Sequence, residues 1–370
     1  MVGHRILALI IKEFLSLFRD KKSRMAVIVP PILQLLIFGY AATFDLENAG
    51  LVVFNEDSGA ISRELIGRFQ GSVGFKLVGY LHSEAEVGPL IDRKGALLAL
   101  HIGKQCSANL MRGESCPVQV IIDGRNSNTA MLALNYVRSI VSDFNQEWAE
   151  QTTGTKLPAH LNIRAWFNPN LESRWFIVPG IIALLAMIVT LVVTALSVAR
   201  EREAGTFDQL LVTPLRPWEV LIGKAIPGLI VGVGEASLII LVTVFWFRIP
   251  LVGQLATLYP ALIIYVLSII GVGLMISSFS TTLQQALLGA FLFIVPAVTL
   301  SGFSTPIANM PPFMQMLTYL NPMRYFLTIV RRVFLEGAGL EYFWHDLWPM
   351  SIIAAATLTM ATWLFRHRMY

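Results

Sequence analysis

Four apolar runs, residues 176–199, 225–247, 256–279 and 284–302, follow one another with Glu235 as their only acidic or basic side chain. About 20 apolar residues in helical form cross a hydrocarbon layer, and only a helix or a closed barrel satisfies its own backbone hydrogen bonds there. Each run is long enough. Further runs at 25–44 and 347–365 raise the candidate spans to six. The composition agrees: 55% of residues are hydrophobic and 14% charged, whereas soluble domains carry about 25% charged residues. The chain therefore reads as an α-helical polytopic membrane protein with six transmembrane helices. Its net charge of +4 comes from Lys and Arg placed beside the runs, where they orient spans, so nucleic acid is not an expected partner.

Residues 1–24 contain Arg5, Lys12, Arg19, Lys21, Lys22 and Arg24, while Leu7, Ile10, Ile11, Phe14, Leu17 and Phe18 form an apolar stripe. This pattern predicts an amphipathic helix lying in the lipid surface, with an ordinary basic flank as the plainer alternative. No small-residue cleavage site follows the first run, so a signal peptide is not expected. Basic segments stay in the cytoplasm, which places the N-terminus inside, residues 45–175 outside, the loop 200–224 inside, and Arg366 and Arg368 in an inside tail. Arg324, Arg331 and Arg332 then fall outside, against the rule, and are best assigned to a surface helix.

The segment 45–175 reads as an inserted α/β extracytoplasmic domain. Leu51–Phe54, Lys76–Leu81, Ala96–Ile102 and Val118–Ile122 are short β-rich runs that alternate with helical stretches near 58–70, 84–91 and 104–112, which favours a sheet covered by helices. A longer amphipathic helix follows from Met131 to Trp148, and Trp166–Asn170 makes a turn back to the membrane. The chain has two cysteines, Cys106 and Cys116, and both lie in this segment. In an oxidising compartment they form a disulfide; the other reading is a pair of half-buried thiols. Their spacing fits no metal site.

Residues 303–346 are apolar but broken by Pro306, Pro311, Pro312 and Asn321–Pro322, leaving pieces too short to span. They are expected as short helices dipping into the outer leaflet, either lining a pathway or serving as a plain connector. Glu235 lies mid-span, where an ionisable group is a candidate pathway residue; a protonated carboxyl bonded to a neighbouring helix is the alternative. Gly228, Gly232 and Gly234 nearby would admit a closely packed helix.

No catalytic or metal-binding pattern is present. The two Gly-Lys pairs, Gly103–Lys104 and Gly223–Lys224, are followed by Gln105 and Ala225 rather than Ser or Thr, so neither is a phosphate loop, and there is no H-E-x-x-H or G-x-S-x-G. The most distinctive polar segment is the island Arg200–Trp218 between two spans. Phe207, Leu210 and Leu211 recur at helical spacing among Arg200, Glu201, Arg202, Glu203 and Asp208, which predicts a small helix presenting apolar knobs to another protein.

That island resembles the cytoplasmic loop of type-2 ATP-binding cassette (ABC) exporter permeases, whose E-x-G-T-x-(x)-L-L-x-[ST]-P pattern is matched here by Glu203, Gly205, Thr206, Leu210, Leu211, Thr213 and Pro214. Asp123–Ala130, Asn168–Asn170 and Val178–Gly180 also resemble the bacterial subset with a large outer domain between spans one and two, many of them multidrug exporter permeases. The resemblance implies a non-catalytic permease in the bacterial inner membrane, with both termini cytoplasmic, exporting drugs or other amphipathic compounds. It implies no cofactor in this chain, ATP and Mg being bound by a partner ABC ATPase that docks on the coupling helix. It further implies a second permease, identical or related, and allows a periplasmic membrane-fusion adaptor. By the same resemblance Thr206 caps the short helix and Gly205 permits the turn into it. Two other classes fit the residues alone: a membrane-anchored ligand sensor, and an intramembrane enzyme built around Glu235.

Overall fold

A computed structural model describes residues 2–19, 21–41, 46, 48–153, 166–169, 172–207 and 215–368. The chain divides into two compact units, residues 44–164 and the remainder.

The unit 44–164 is built on a four-stranded mixed sheet of order β2-β1-β3-β4, with β1 (Ala49–Asn55) parallel to β2 (Phe75–Leu81) and β3 (Leu98–Ile102), and β4 (Val118–Ile122) antiparallel to β3. All four strands fall on the β-rich runs expected from the sequence. The chain steps outward from β1 to β2 through α3 (Ala60–Gly71), then back past β1 to β3 through α4 (Val87–Asp92). Crossovers of one hand then put α3 and α4 on opposite faces. Two apolar layers result: Leu51, Val53, Leu98 and Leu100 pack with α3, α5 (Cys106–Met111) and α6 (Ser127–Thr153), while Val52 and Ala99 pack with Val87 and its neighbours. The Sγ atoms of Cys106 and Cys116 are bonded, with their Cα atoms 4.9 Å apart.

The second unit is helical. It contains α1 (Val2–Arg19), α2 (Lys21–Ala41), α7 (Ser173–Glu203), α8 (Pro217–Phe245), α9 (Leu255–Phe279), α10 (Leu283–Thr299), α11 (Pro312–Leu317), α12 (Pro322–Leu335) and α13 (Trp344–Arg368). Among the described residues four helices are long and apolar enough to cross a membrane: α7, α8, α9, and α13 with the turn before it. Val29–Tyr40 within α2 and Leu283–Thr299 are shorter apolar helices. Lys21 and Lys22, read from sequence with the surface helix, begin α2 instead.

The helix α7 is the hub. It is apolar all round, and 83% of its most apolar window is buried against 33% for α8, as expected of a helix enclosed by others. Its contact with α8 is close because Gly228 and Gly232 face it: a Cβ on Gly232 would lie 2.2 Å from Thr190 Oγ1, and one on Gly228 2.6 Å from Thr194 Cγ2. Gly234, expected beside them, has nothing within 4 Å of its Cβ position. Small residues one helical turn apart thus make the crossing. Tyr265 of α9 is fully buried, donates to the Ala183 carbonyl at 2.9 Å and stacks on Phe326 of α12.

The proline-broken segment contains α11, α12 and three single turns of 3-10 helix. Asn321 caps α12 by accepting from the Met323 amide, and Pro322 supplies its first position. The three arginines expected on a surface helix are all on α12: Arg324 lies over the Tyr319 ring, Arg331 over Phe176, and Arg332 beside Glu336 and Asp346.

Candidate functional site

The charged island begins inside α7, which continues through Glu203. Gly205 then adopts φ +66°, the left-handed region that glycine enters without a Cβ penalty. The Thr206 amide donates to the Glu201 carbonyl and the Gly205 amide to the Arg202 carbonyl, the paired bonds of a helix-terminating Schellman turn. Gly205 therefore ends the span. Thr206, expected to cap the helix that follows, turns its hydroxyl back to the Glu201 carbonyl at 3.3 Å.

Two consecutive side chains at this end of α7 hold the turn between α9 and α10. Arg202 Nη1 donates to the carbonyls of Ser278 and Ser280, at 3.0 and 3.1 Å, at the C-terminal end of α9. Glu203 Oε2 accepts from the Leu283 amide at 2.7 Å, at the first residue of α10. Each charge has the sign that its helix end favours, a cation at free carbonyls and an anion at free amides. Arg202 also lies 4.9 Å over the ring of Phe207.

Phe207 alone departs from the reading of it as an outward knob. It is 9% exposed and meets Phe365 of α13 edge to face at 6.1 Å. An apolar ring beside a partner from the chain's last helix is worth more buried than displayed. Glu201, read as part of a polar face, is buried too. Leu210, Leu211, Thr213 and Pro214, together with Asp208, lie outside the described residues.

Glu201 belongs to an ionic cluster that the sequence did not suggest. Lys224 Nζ of α8 lies 2.8 Å from Glu13 Oε1 of α1 and 2.8 Å from Glu201 Oε2, and its side chain is 1% exposed. Lys12 pairs with Glu201, and Ser197 bonds both Lys224 Nζ and Glu13. Two ammonium groups meet two carboxylates, so the cluster is neutral. Such a group withstands burial only when every charge is matched and hydrogen-bonded. A Cβ on Gly223 would lie 2.8 Å from Leu9 Cβ, so the glycine lets α1 approach. The Gly223–Lys224 pair that failed as a phosphate loop is a docking point for α1. The one available signal was Glu13, the sole acidic residue of α1. On the same helix Leu7 and Ile11, from the expected lipid stripe, are exposed.

At the start of α8, Pro217 fills the first position and the buried Glu219 carboxylate accepts from the Arg216 amide at 2.8 Å. Deeper in α8, neither carboxylate oxygen of Glu235 has a hydrogen-bond partner among the described residues. The alternative of a bond to a neighbouring helix is not seen there. Its neighbour Ser237 bonds the Val233 carbonyl and the Tyr259 hydroxyl.

The other segments that carried the resemblance are turn and packing devices. Arg125 bonds both oxygens of Asp123 and the carbonyls of Ile91 and Asp92, and holds the Asp123 carboxyl down at about 2. Asn126 Oδ1 accepts from the Thr129 amide at the start of α6. Asn168 brackets the turn before α7 with two bonds to Glu172, and Gly180 leaves room for Phe303. No group of three or more His, Cys, Asp or Glu suited to a metal occurs among the described residues.

Comparison with known proteins gives concordant matches. The family described as "ABC-2 family transporter protein" matches residues 21–363. The chain is 42% identical over 367 residues to "Probable multidrug ABC transporter permease YbhR" of Escherichia coli K12, covering 99% of each chain. It is 32% identical to "Probable multidrug ABC transporter permease YbhS" of the same organism, over 90% of this chain and 89% of that one. "Inner membrane transport permease YhhJ", also from Escherichia coli K12, is 25% identical over 96% of this chain and 95% of its own length.

Proposed function

The chain belongs to the ABC-2 family of transporter proteins, permeases with no catalytic role of their own, and from that premise we propose how it is energised and what it moves. It is a permease subunit driven by separate ABC ATPase subunits, which bind ATP and Mg. It exports drugs or other amphipathic compounds, a reading supported by two relatives whose names are multidrug ABC transporter permeases. The observation that carries the energy-coupling reading is the tethering of one end of α7: through Glu201, Arg202 and Glu203 it is bonded to α1, α8, α9 and α10.

In this reading the described Glu203, Gly205 and Thr206 begin the coupling segment, and Leu210, Leu211, Thr213 and Pro214 complete it against the ATPase. The segment 200–224 is cytoplasmic, both termini are cytoplasmic, and six helices cross the bacterial inner membrane, with α2 and α10 completing the set. The unit 44–164 lies outside. Six spans enclose too narrow a path, so two permeases pair, and a membrane-fusion adaptor is a further partner of the outer unit. The uncovered apolar stripe of α1 rests in lipid. Glu235, unpartnered in an apolar helix, borders the pathway.

The test is the double variant L210D/L211D, co-expressed with the ABC ATPase that co-purifies with the wild-type chain and reconstituted in lipid vesicles. Substrate-stimulated ATP hydrolysis is expected to vanish while membrane insertion and the basal ATPase rate persist. Full stimulation in the variant would refute the docking role.

A further inference from the structure

The unit 44–164 carries a pocket of about 450 Å³, open on one side and lined by α3, α5, α6 and β4. Beside it the core of the unit is closely packed, with Phe69, Leu51 and Leu98 fully buried. The pocket's volume falls in the range of roughly 300–1,000 Å³ typical of small-molecule sites.

Two adjoining stripes of α6 set its character. Val137, Val141 and Phe144, at spacings of four and three, turn an apolar row into it. Arg138, Ser142 and Asn145, one position further on, line its edge with a polar row at the same spacings. The opposite wall is apolar, from Leu65, Leu110 and Val120, and the Cys106–Cys116 disulfide lines part of it. Arg138 is the only charged residue of the lining, and among the described residues it has no hydrogen bond or ion pair. Further along α6, the Glu147 carboxylate is engaged 2.7 Å from Arg68, which itself lies over the Phe144 ring.

An apolar chamber with one unpaired cation and two further donors at its edge is complementary to a single ligand chemistry. We propose that this cavity binds a small amphipathic anion, its apolar body between α6 and the sheet and its anionic head on Arg138, with Ser142 and Asn145 as neutral partners. The site lies wholly within this unit and does not depend on the coupling reading.

The full-length chain in zwitterionic lipid nanodiscs would be titrated with 1-anilinonaphthalene-8-sulfonate, against protein-free discs. The neutral N-phenyl-1-naphthylamine serves as the charge control. Saturable binding of the sulfonate is expected, weakened at least tenfold in R138E and weakened in V141W, whose indole takes up part of the chamber. The neutral probe should bind the wild type and R138E alike. R138E alters an exposed side chain, so its arm stands even where V141W fails to fold. Equal sulfonate affinity in wild type and R138E, or no saturable signal above empty discs, would overturn the proposal.

Discussion

Lys224 Nζ and Glu13 Oε1 lie 2.8 Å apart, although 211 positions separate the two residues in the chain. The contact fixes the amphipathic N-terminal helix to the base of α8. Because Lys224 also meets Glu201, the N-terminal helix, α7 and α8 share one buried cation.

Removing that cation leaves Glu13 without a partner cation and Glu201 with Lys12 alone. The K224M variant should lose about 3–5 kcal/mol, seen as a fall in the apparent midpoint of thermal unfolding of the purified protein. In a double-mutant cycle with E13Q, the pair should show a coupling of about 1–3 kcal/mol. A coupling near zero would mean that the contact contributes nothing.

The α7–α8 crossing makes a prediction with an internal control. A side chain at Gly232 meets Thr190, whereas Gly234 faces open space. G232V should cost about 3 kcal/mol through overpacking and reduce the yield of folded protein. G234A should be neutral, or stabilising by about 0.5–1 kcal/mol through helix propensity. Similar behaviour of the two variants in size-exclusion and thermal assays would contradict the close crossing.

Glu203 holds the first amide of α10. Since the residue is exposed, E203A should change stability by about 1 kcal/mol or less. Its larger expected effect is on stimulated ATP hydrolysis in the reconstituted transporter, with E203Q intermediate because it keeps an acceptor and loses the charge. Wild-type stimulation in E203A would disconnect this bond from coupling.

Acid should loosen the turn before α6. Bonds from the Arg125 side chain and amide lower the Asp123 carboxyl from 3.8 to about 2. A lowered folded-state value means that the stabilisation is complete above 3.8 and is lost as pH falls toward 2. Hydrogen exchange of the peptide 123–130 should accelerate, relative to its intrinsic rate, across that window. The D123N variant should show faster exchange with no such step.

Much of the architecture was legible because it depends on local patterns. The four strands and α3 to α6 follow from short-range alternation, and α7 to α9 from apolar length. The three arginines that break the charge rule, and so are expected on a helix and not in a loop, lie on α12. What escaped reading depends on partners far away in the chain. Phe207 was read as a knob because nothing near it in sequence covers it; its cover is Phe365. Lys224 looked like a membrane flank, and its meaning came only with Glu13 and Glu201. Gly205 and Thr206, expected to start the helix ahead, also close the helix behind through bonds to Arg202 and Glu201, while residues 208–214 lie outside the described residues.

Arg202 and Glu203, adjacent on α7, grip the tail of α9 and the head of α10. The stretch 280–282 between those helices is thus clasped on both sides, like a link held in a pair of jaws. In the proposed coupling, a thrust along the axis of α7 acts on both helices through these bonds. It displaces the last carbonyls of α9 and the first amide of α10 in the same stroke, so the two helices move as one piece unless a bond in the clasp breaks.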